Sequence, residues 1–148
     1  MGLEKDIRQN SFRNDRQKAV INIIFTYNWM TEKIKNHLDK HDLTHQQFNI
    51  LRILRGAGKP LSTMQIRERM LDKMSDTSRI VDRLVIKEVV EKSPCSFDRR
   101  LVDVVITKKG LDVLSKLDEF SPELDAVIGN LNTEETSMLN KLLDKIRE

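Results

Sequence analysis

The chain has 148 residues, of which 33% are charged and 5% aromatic, with five glycines, three prolines, one cysteine and a formal net charge of +3. Such a length fits one domain, or a compact domain with helical extensions, and a lean apolar content asks some helices to find a partner chain before they are fully buried. The lone Cys95 excludes an intrachain disulfide and suits a reducing compartment, the cytoplasm. The opening "MGLEKDIRQNSFRNDRQK" lacks the apolar run of a secretory signal, Asp6 stands where a myristoylation motif wants a hydroxyl, and no apolar run approaches the ~18 residues of a membrane span.

Residues 1–16 are polar and read as a flexible N-terminus. From Gln17 to Lys40 the spacing predicts a long helix. Val20, Ile23, Tyr27, Met30, Ile34 and Leu38 recur at three or four residues along one stripe, and Ile21, Ile24, Phe25 and Trp29 form a second. A helix with two apolar faces has to bury both; one face can serve its own core, and the other wants a second chain. Thr44 and Gln47 form a capping-box pattern that opens the next helix, with Phe48, Ile50, Leu51 and Leu54 inward and "GAGKP" as its stop. Ser62 and Gln65 repeat the pattern at the head of a short helix to about Met70. A break near Leu71–Lys73 leads to another helix over about Ser75–Lys87, with Ile80, Val81 and Leu84 on its core side. Two short helices joined by a short turn give a helix-turn-helix outline.

Val89–Lys92 and Leu101–Ile106 read as two strands of a hairpin, joined by the polar loop "SPCSFDRR". Thr107 caps a helix to about Glu119 on the stripe Leu111, Leu114 and Leu117. Ser121-Pro122 restarts it, since proline suits a first helical turn. "NTEE" at 132–135 opens the last helix, whose apolar side holds Leu139, Leu142, Leu143 and Ile146. The fold class expected is therefore mainly α with a small β-hairpin wing: a winged helix-turn-helix flanked by N- and C-terminal helices.

Charge follows the same division. Residues 52–109 carry 14 basic and 8 acidic side chains, net +6, whereas 110–148 carry 4 and 9, net −5. A basic module beside an acidic tail attracts polyanions through that module. A helix fits the major groove of duplex DNA and reads base edges with its first turns. Thr63, at the head of the shorter helix, and Ser75, Asp76, Thr77, Ser78, Arg79 and Arg83, on the second, are the candidate contacts. Arg79 and Arg83 lie four apart on one face, able to fork onto guanine or grip phosphate; Ser75 and Asp76 also suit simple helix capping. Asp98, two residues before Arg100, can hold that arginine for the narrow minor groove. Arg99 and Lys92 then meet phosphates. A surface ion pair that only orders the loop is the competing reading of the same residues.

"DRRLVDVVITKKG" (98–110) resembles the wing of the MarR family of bacterial winged-helix regulators, whose pattern is Asp-x-Arg, an alternating strand, then Leu-Thr-x-x-Gly. Asp98, Arg100, Thr107 and Gly110 match, and Ile106 replaces the leucine. "LTHQQFNILRIL" (43–54), "TSRIVDRL" (77–84) and "LNTEETSMLNKLLDKI" (131–146) resemble the family's second, recognition and closing dimerisation helices. Two positions depart from the pattern. Glu88 stands where members often have glycine, so that turn is expected to differ or carry strain, and Lys92 stands where an arginine is usual.

The resemblance implies a homodimer. Residues 17–42 and 107–148 would form the dimerisation helices, meeting through Ile21, Ile24, Phe25, Leu131, Leu139, Leu142, Leu143 and Ile146, and residues 43–106 the DNA-binding domain. It also implies a small-molecule effector; Tyr27, Trp29, Met30 and Phe48 are candidate pocket residues, explained equally well as core. No nucleophile–base set, Gly-rich phosphate loop or HExxH motif is present, so no enzyme, cofactor or metal is expected. His37 and His41 share a helix face that could hold a metal or complement the helix C-terminus, with His45 beyond a break. Cys95 sits among Lys92, Arg99 and Arg100, a setting that suits either a redox-reactive thiol or an incidental one. The function expected is a ligand-responsive repressor binding a palindromic operator in double-stranded DNA. The alternatives are a winged-helix protein-interaction module without DNA binding, or a metal- or redox-responsive variant of the regulator.

Overall fold

The structure, a computed structural model, describes residues 2–148 and divides into two compact units, one reaching to Asn36 and the other running from His37 to Glu148.

In the first unit α1 (Leu3–Asp6) is followed by the long α2 (Asp15–Leu38), which extends into the second unit. The segment expected to be flexible thus contains a turn of helix. Leu3 is buried, and the Lys18 ammonium binds the Glu4 carboxylate, holding that carboxyl below its usual range. The Asn14 side chain accepts the Gln17 N–H at 2.9 Å, so α2 starts two residues before the position predicted. Much of both predicted stripes of α2 stays open: Val20, Ile23, Ile24, Tyr27 and Trp29 are exposed, whereas Leu38 at the end of the first stripe is buried. The aliphatic stem of Lys33 brings its ammonium over the Trp29 ring, 4.7 Å from the centroid.

The second unit begins with the last residues of α2 and a 3-10 turn (Asp39–His41). Then come α3 (His45–Ala57), β1 (Leu61–Ser62), α4 (Thr63–Arg69), α5 (Thr77–Ile86), β2 (Val90–Pro94), β3 (Val102–Ile106), α6 (Lys108–Asp118), α7 (Ser121–Asp125), a second 3-10 turn (Ala126–Ile128) and α8 (Thr133–Ile146). The two predicted capping boxes form, Thr44 with Gln47 and Ser62 with Gln65, and Asn132 with Glu135 adds a third; each pair exchanges side-chain and backbone bonds. Helix α3 stops at Gly58, whose φ of 63° is left-handed and suits a residue without Cβ. Ile50, Leu51 and Leu54 of α3 are buried with Leu61, Ile66, Met70, Val81, Leu84, Val90, Val104 and Leu114 in one core. Truncating one of these large side chains to alanine costs about 2–5 kcal/mol.

The sheet has three strands rather than the hairpin's two, in the order β1-β3-β2, all antiparallel, with Leu61 opposite Val104 and Val90 opposite Ile106. The hairpin strands also shift, β2 running to Pro94 and β3 starting at Val102, which shortens the wing loop.

The joint between α5 and the wing is closely specified. Glu88, at the position flagged for its missing glycine, adopts a φ of 62°. A left-handed conformation is unfavourable for a residue with a Cβ, and the surrounding bonds hold it there. The Thr107 hydroxyl donates to the Glu88 carbonyl at 2.8 Å, and the Thr107 N–H to the Val89 carbonyl at 3.0 Å. The same hydroxyl oxygen accepts the Gly110 N–H at 3.1 Å and so caps α6. A Cβ on Gly110 would lie 2.4 Å from the Val89 carbonyl oxygen, so only glycine fits. Across the unit, the Arg55 guanidinium of α3 grips the Asp118 carboxylate of α6 with two bonds of 2.6 and 3.1 Å and holds that carboxyl below its usual range.

Candidate nucleic-acid interface

Helix α5 owes its position to the turn before it. The Asn49 carboxamide of α3 accepts the Leu71 N–H at 2.9 Å, fixing where the chain leaves α4. Asp72 then folds the turn: its carboxylate accepts the Met74 N–H at 3.0 Å, and its carbonyl accepts the Ser75 hydroxyl at 2.8 Å. Asp76 is the N-cap, accepting the Arg79 N–H at 3.2 Å. The helix therefore begins at Thr77, two residues later than predicted, with Ser75 spent on the turn and Asp76 on the cap.

Thr77 itself is a correction to the predicted contact set. Only 3% of it is exposed, and it lies with Val81 and Leu84 on the buried face of α5. Its spacing to them, four and seven residues, is the core stripe of a helix. What α5 leaves outside is Ser78, Arg79, Asp82, Arg83 and Ile86. The Arg79 side chain is 73% exposed and sits 3.8 Å from the Asp76 carboxylate, which restrains it without covering it. Thr63 and Arg67 of α4 face Ser75, Asp76 and Ser78 across a shallow cleft between the two helices. Arg67 was not among the residues singled out from sequence, because its approach to α5 is a tertiary fact.

The wing loop is closed by two backbone bonds of 3.0 Å, Cys95 N–H to the Leu101 carbonyl and Leu101 N–H to the Asp98 carbonyl. Asp98 does what its spacing suggested. One carboxylate oxygen accepts the Arg100 N–H at 3.0 Å and stands 3.4 Å from the Arg100 Nε, while the Arg100 side chain remains 92% exposed. Arg99 is exposed beside it. Lys92, expected to meet phosphate, is instead bound to the Asp82 carboxylate of α5. That pair ties strand β2 to α5; its partner, ten residues away and on another element, has no signal in the local pattern.

The remaining candidates distribute as follows. Tyr27 and Trp29 are exposed and Met30 half-buried in the first unit; Phe48, in the second, is half-buried with the Arg52 guanidinium 5.6 Å from its ring centroid. Ile24 is exposed and Ile21 and Phe25 half-buried on α2. In the second unit Leu131, Leu139, Leu142 and Ile146 are exposed and Leu143 half-buried. His37 and His41 both lie against the Phe120 ring, at centroid distances of 5.6 and 6.3 Å, and among the described residues no three metal-ligating side chains gather. Cys95 is half-buried at the base of the wing loop.

Comparison with known proteins bears on this arrangement. A family model described as "MarR family" matches residues 41–101, the helix-turn-helix and the first part of the wing. The HTH-type transcriptional regulator MhqR of Bacillus subtilis is 28% identical over 131 residues, covering 87% of this chain and 89% of that one. Two solved structures share the fold. A cysteine-to-serine mutant of MarR from E. coli, complexed with operator DNA, superposes with a TM-score of 0.82 at 23% identity, covering 93% of this chain and 99% of that one. BpsR of Bordetella bronchiseptica, whose DNA binding is described as regulated by 6-hydroxynicotinic acid, gives 0.81 at 21% identity, covering 94% and 99%.

Proposed function

We propose that the chain, whose residues 41–101 match the MarR family model, is a repressor of that kind, binding double-stranded DNA as a homodimer and released by a small ligand. The observation that carries this reading is the wing tip. A guanidinium held on its own loop by a carboxylate, and otherwise bare, is an arrangement with no internal purpose and an evident external one. Such a cation suits the minor groove, where narrowing concentrates negative potential. Ser78, Arg79 and Arg83 on the outer face of α5 suit the adjoining major groove. Arg99 and Arg67 add phosphate contacts, which position without reading sequence. The Lys92–Asp82 pair fixes the strand of one reader to the helix of the other.

A dimer is supported by the apolar side chains that each unit leaves open, Val20, Ile23 and Ile24 on α2 and Leu139, Leu142 and Ile146 on α8. Two-fold pairing sets two recognition helices about 34 Å apart, matching a palindrome with half-sites one helical turn apart. The chain is a binder rather than a catalyst and works in the cytoplasm beside its operator; no described helix is long and apolar enough to cross a membrane. An effector of the aromatic-acid class is supported by the 6-hydroxynicotinic acid that regulates BpsR.

The test is anisotropy titration of the full chain against a duplex selected by it from a random-sequence library, across a range of salt. Binding tighter than to bulk duplex, with a palindrome in the selected sequence, is the expected result. Failure to select any sequence, together with a monomeric mass in solution, would overturn the proposal.

A further inference from the structure

Phe97 stands out among the exposed residues. It is 97% exposed, at the outer end of the wing loop, directly before the Asp98–Arg100 brace. Among the described residues no larger share of any bulky apolar side chain is given to solvent. The loop that carries it is not loose: backbone bonds from Cys95 to Leu101 and from Leu101 to Asp98 close it on both sides. Phe97 is thus an apolar ring on a fixed stalk, followed by Asp98 and the two exposed arginines, Arg99 and Arg100. Such a ring does not suit another protein's apolar groove, where the exposed Arg99 and Arg100 beside it would lose water with only the Asp98 carboxylate to balance them. It does suit a polyanion whose groove floor is a stack of aromatic rings.

Resting on the DNA-binding reading above, we propose that Phe97 is a minor-groove wedge: Arg100 and Arg99 draw the wing onto the phosphates, and the Phe97 ring enters between two base pairs, opening the step and bending the duplex. Apolar side chains used in this way partly unstack one step and kink the helix toward the major groove. The cost of unstacking depends on the step, and TA and CA/TG yield most easily. The wing therefore contributes specificity by deformability: it prefers operators with a pyrimidine–purine step beneath each wing. A purely cationic wing has no means of expressing that preference.

The experiment uses the full chain, a duplex it selects from a random library, and 2-aminopurine placed in turn at the steps under the wing footprint. Wild type should raise the 2-aminopurine fluorescence at one step and retard circularly permuted fragments as bent DNA. Phe97→Ala should abolish both signals and weaken binding at least about thirtyfold, the lower end for lost aromatic–base stacking at two sites. Its salt slope should be unchanged, because an apolar ring releases no counterions. Phe97→Leu should keep a bend, since leucine also serves as a wedge. Substitution at so exposed a position leaves the fold intact, which a circular-dichroism melt checks. If Phe97→Ala binds, bends and unstacks like wild type, the wedge is refuted while the repressor reading stands. If wild type selects no duplex at all, the underlying reading is what fails.

Discussion

Replacing Asp98 by alanine separates two views of the wing by the sign of the effect. The carboxylate lies in what is proposed to be a DNA-facing loop, so as a plain surface anion it repels phosphate, and its removal would leave affinity unchanged or improve it. As a brace it does the opposite. Its single oxygen receives both the Arg100 N–H at 3.0 Å and the Arg100 side chain at 3.4 Å. Without it the guanidinium is free to rotate until it binds. Ordering a long side chain at an interface costs about 0.5–1.5 kcal/mol. Two wings per dimer make that about 1–3 kcal/mol, or roughly a 5- to 150-fold loss of affinity. The charge that meets DNA is still present, so the salt slope holds. Arg100→Ala is the contrasting variant. Each lost cation lowers the slope by about 0.9, and two lower it by about 1.8. Between 50 and 200 mM salt, wild type should then lose about twelvefold more affinity than Arg100→Ala, on the same counterion-release slope. Both variants are read by anisotropy titration on the selected duplex. Tighter binding by Asp98→Ala would refute the brace.

Three further outcomes follow from the geometry. Arg79→Ala should relax base preference at one position of each half-site, by about 1–3 kcal/mol if the guanidinium forks onto a base edge; selection repeated with the variant reads this, and a uniform loss over scrambled sites would place Arg79 on phosphate. Gly110→Ala forces a Cβ to within 2.4 Å of the Val89 carbonyl oxygen and should destabilise by about 1–3 kcal/mol, visible as a lower urea midpoint. Asp118→Asn tests the grip of Arg55. Because Arg55 holds the folded carboxyl below its usual range, the stabilisation is complete above the unfolded value near ~3.9 and fades as pH falls through the lower folded one. Both partners are over a third exposed, so screening limits the loss at neutral pH to about 0–1 kcal/mol, and the two proteins should converge in acid.

What could be read from the chain alone was what is local. A capping box lies within four residues, so Thr44–Gln47, Ser62–Gln65 and Asn132–Glu135 announce their helices directly. The Asp98–Arg100 brace spans two residues and was equally legible. What escaped depends on chain brought from elsewhere. Strand β1 is two residues long, too short to alternate, and exists because β3 runs beside it. The sequence points Lys92 at phosphate because Asp82 reaches it only through the packing of α5 on the wing. Thr77 was placed with the polar contacts by its chemistry, although its spacing to Val81 and Leu84 already put it inside. Ser75 joined the recognition helix because the Asp72 turn that occupies its hydroxyl leaves no mark on periodicity.

Gly110 also limits how this chain can diverge. With the Val89 carbonyl and the Ile106 side chain filling the space where any side chain would start, that site is closed to substitution. The pitch of the hairpin against α6 therefore has to be adjusted through its neighbours. Glu88, which already tolerates an uncomfortable backbone, is the natural place for a lineage to retune the reach of its hairpins.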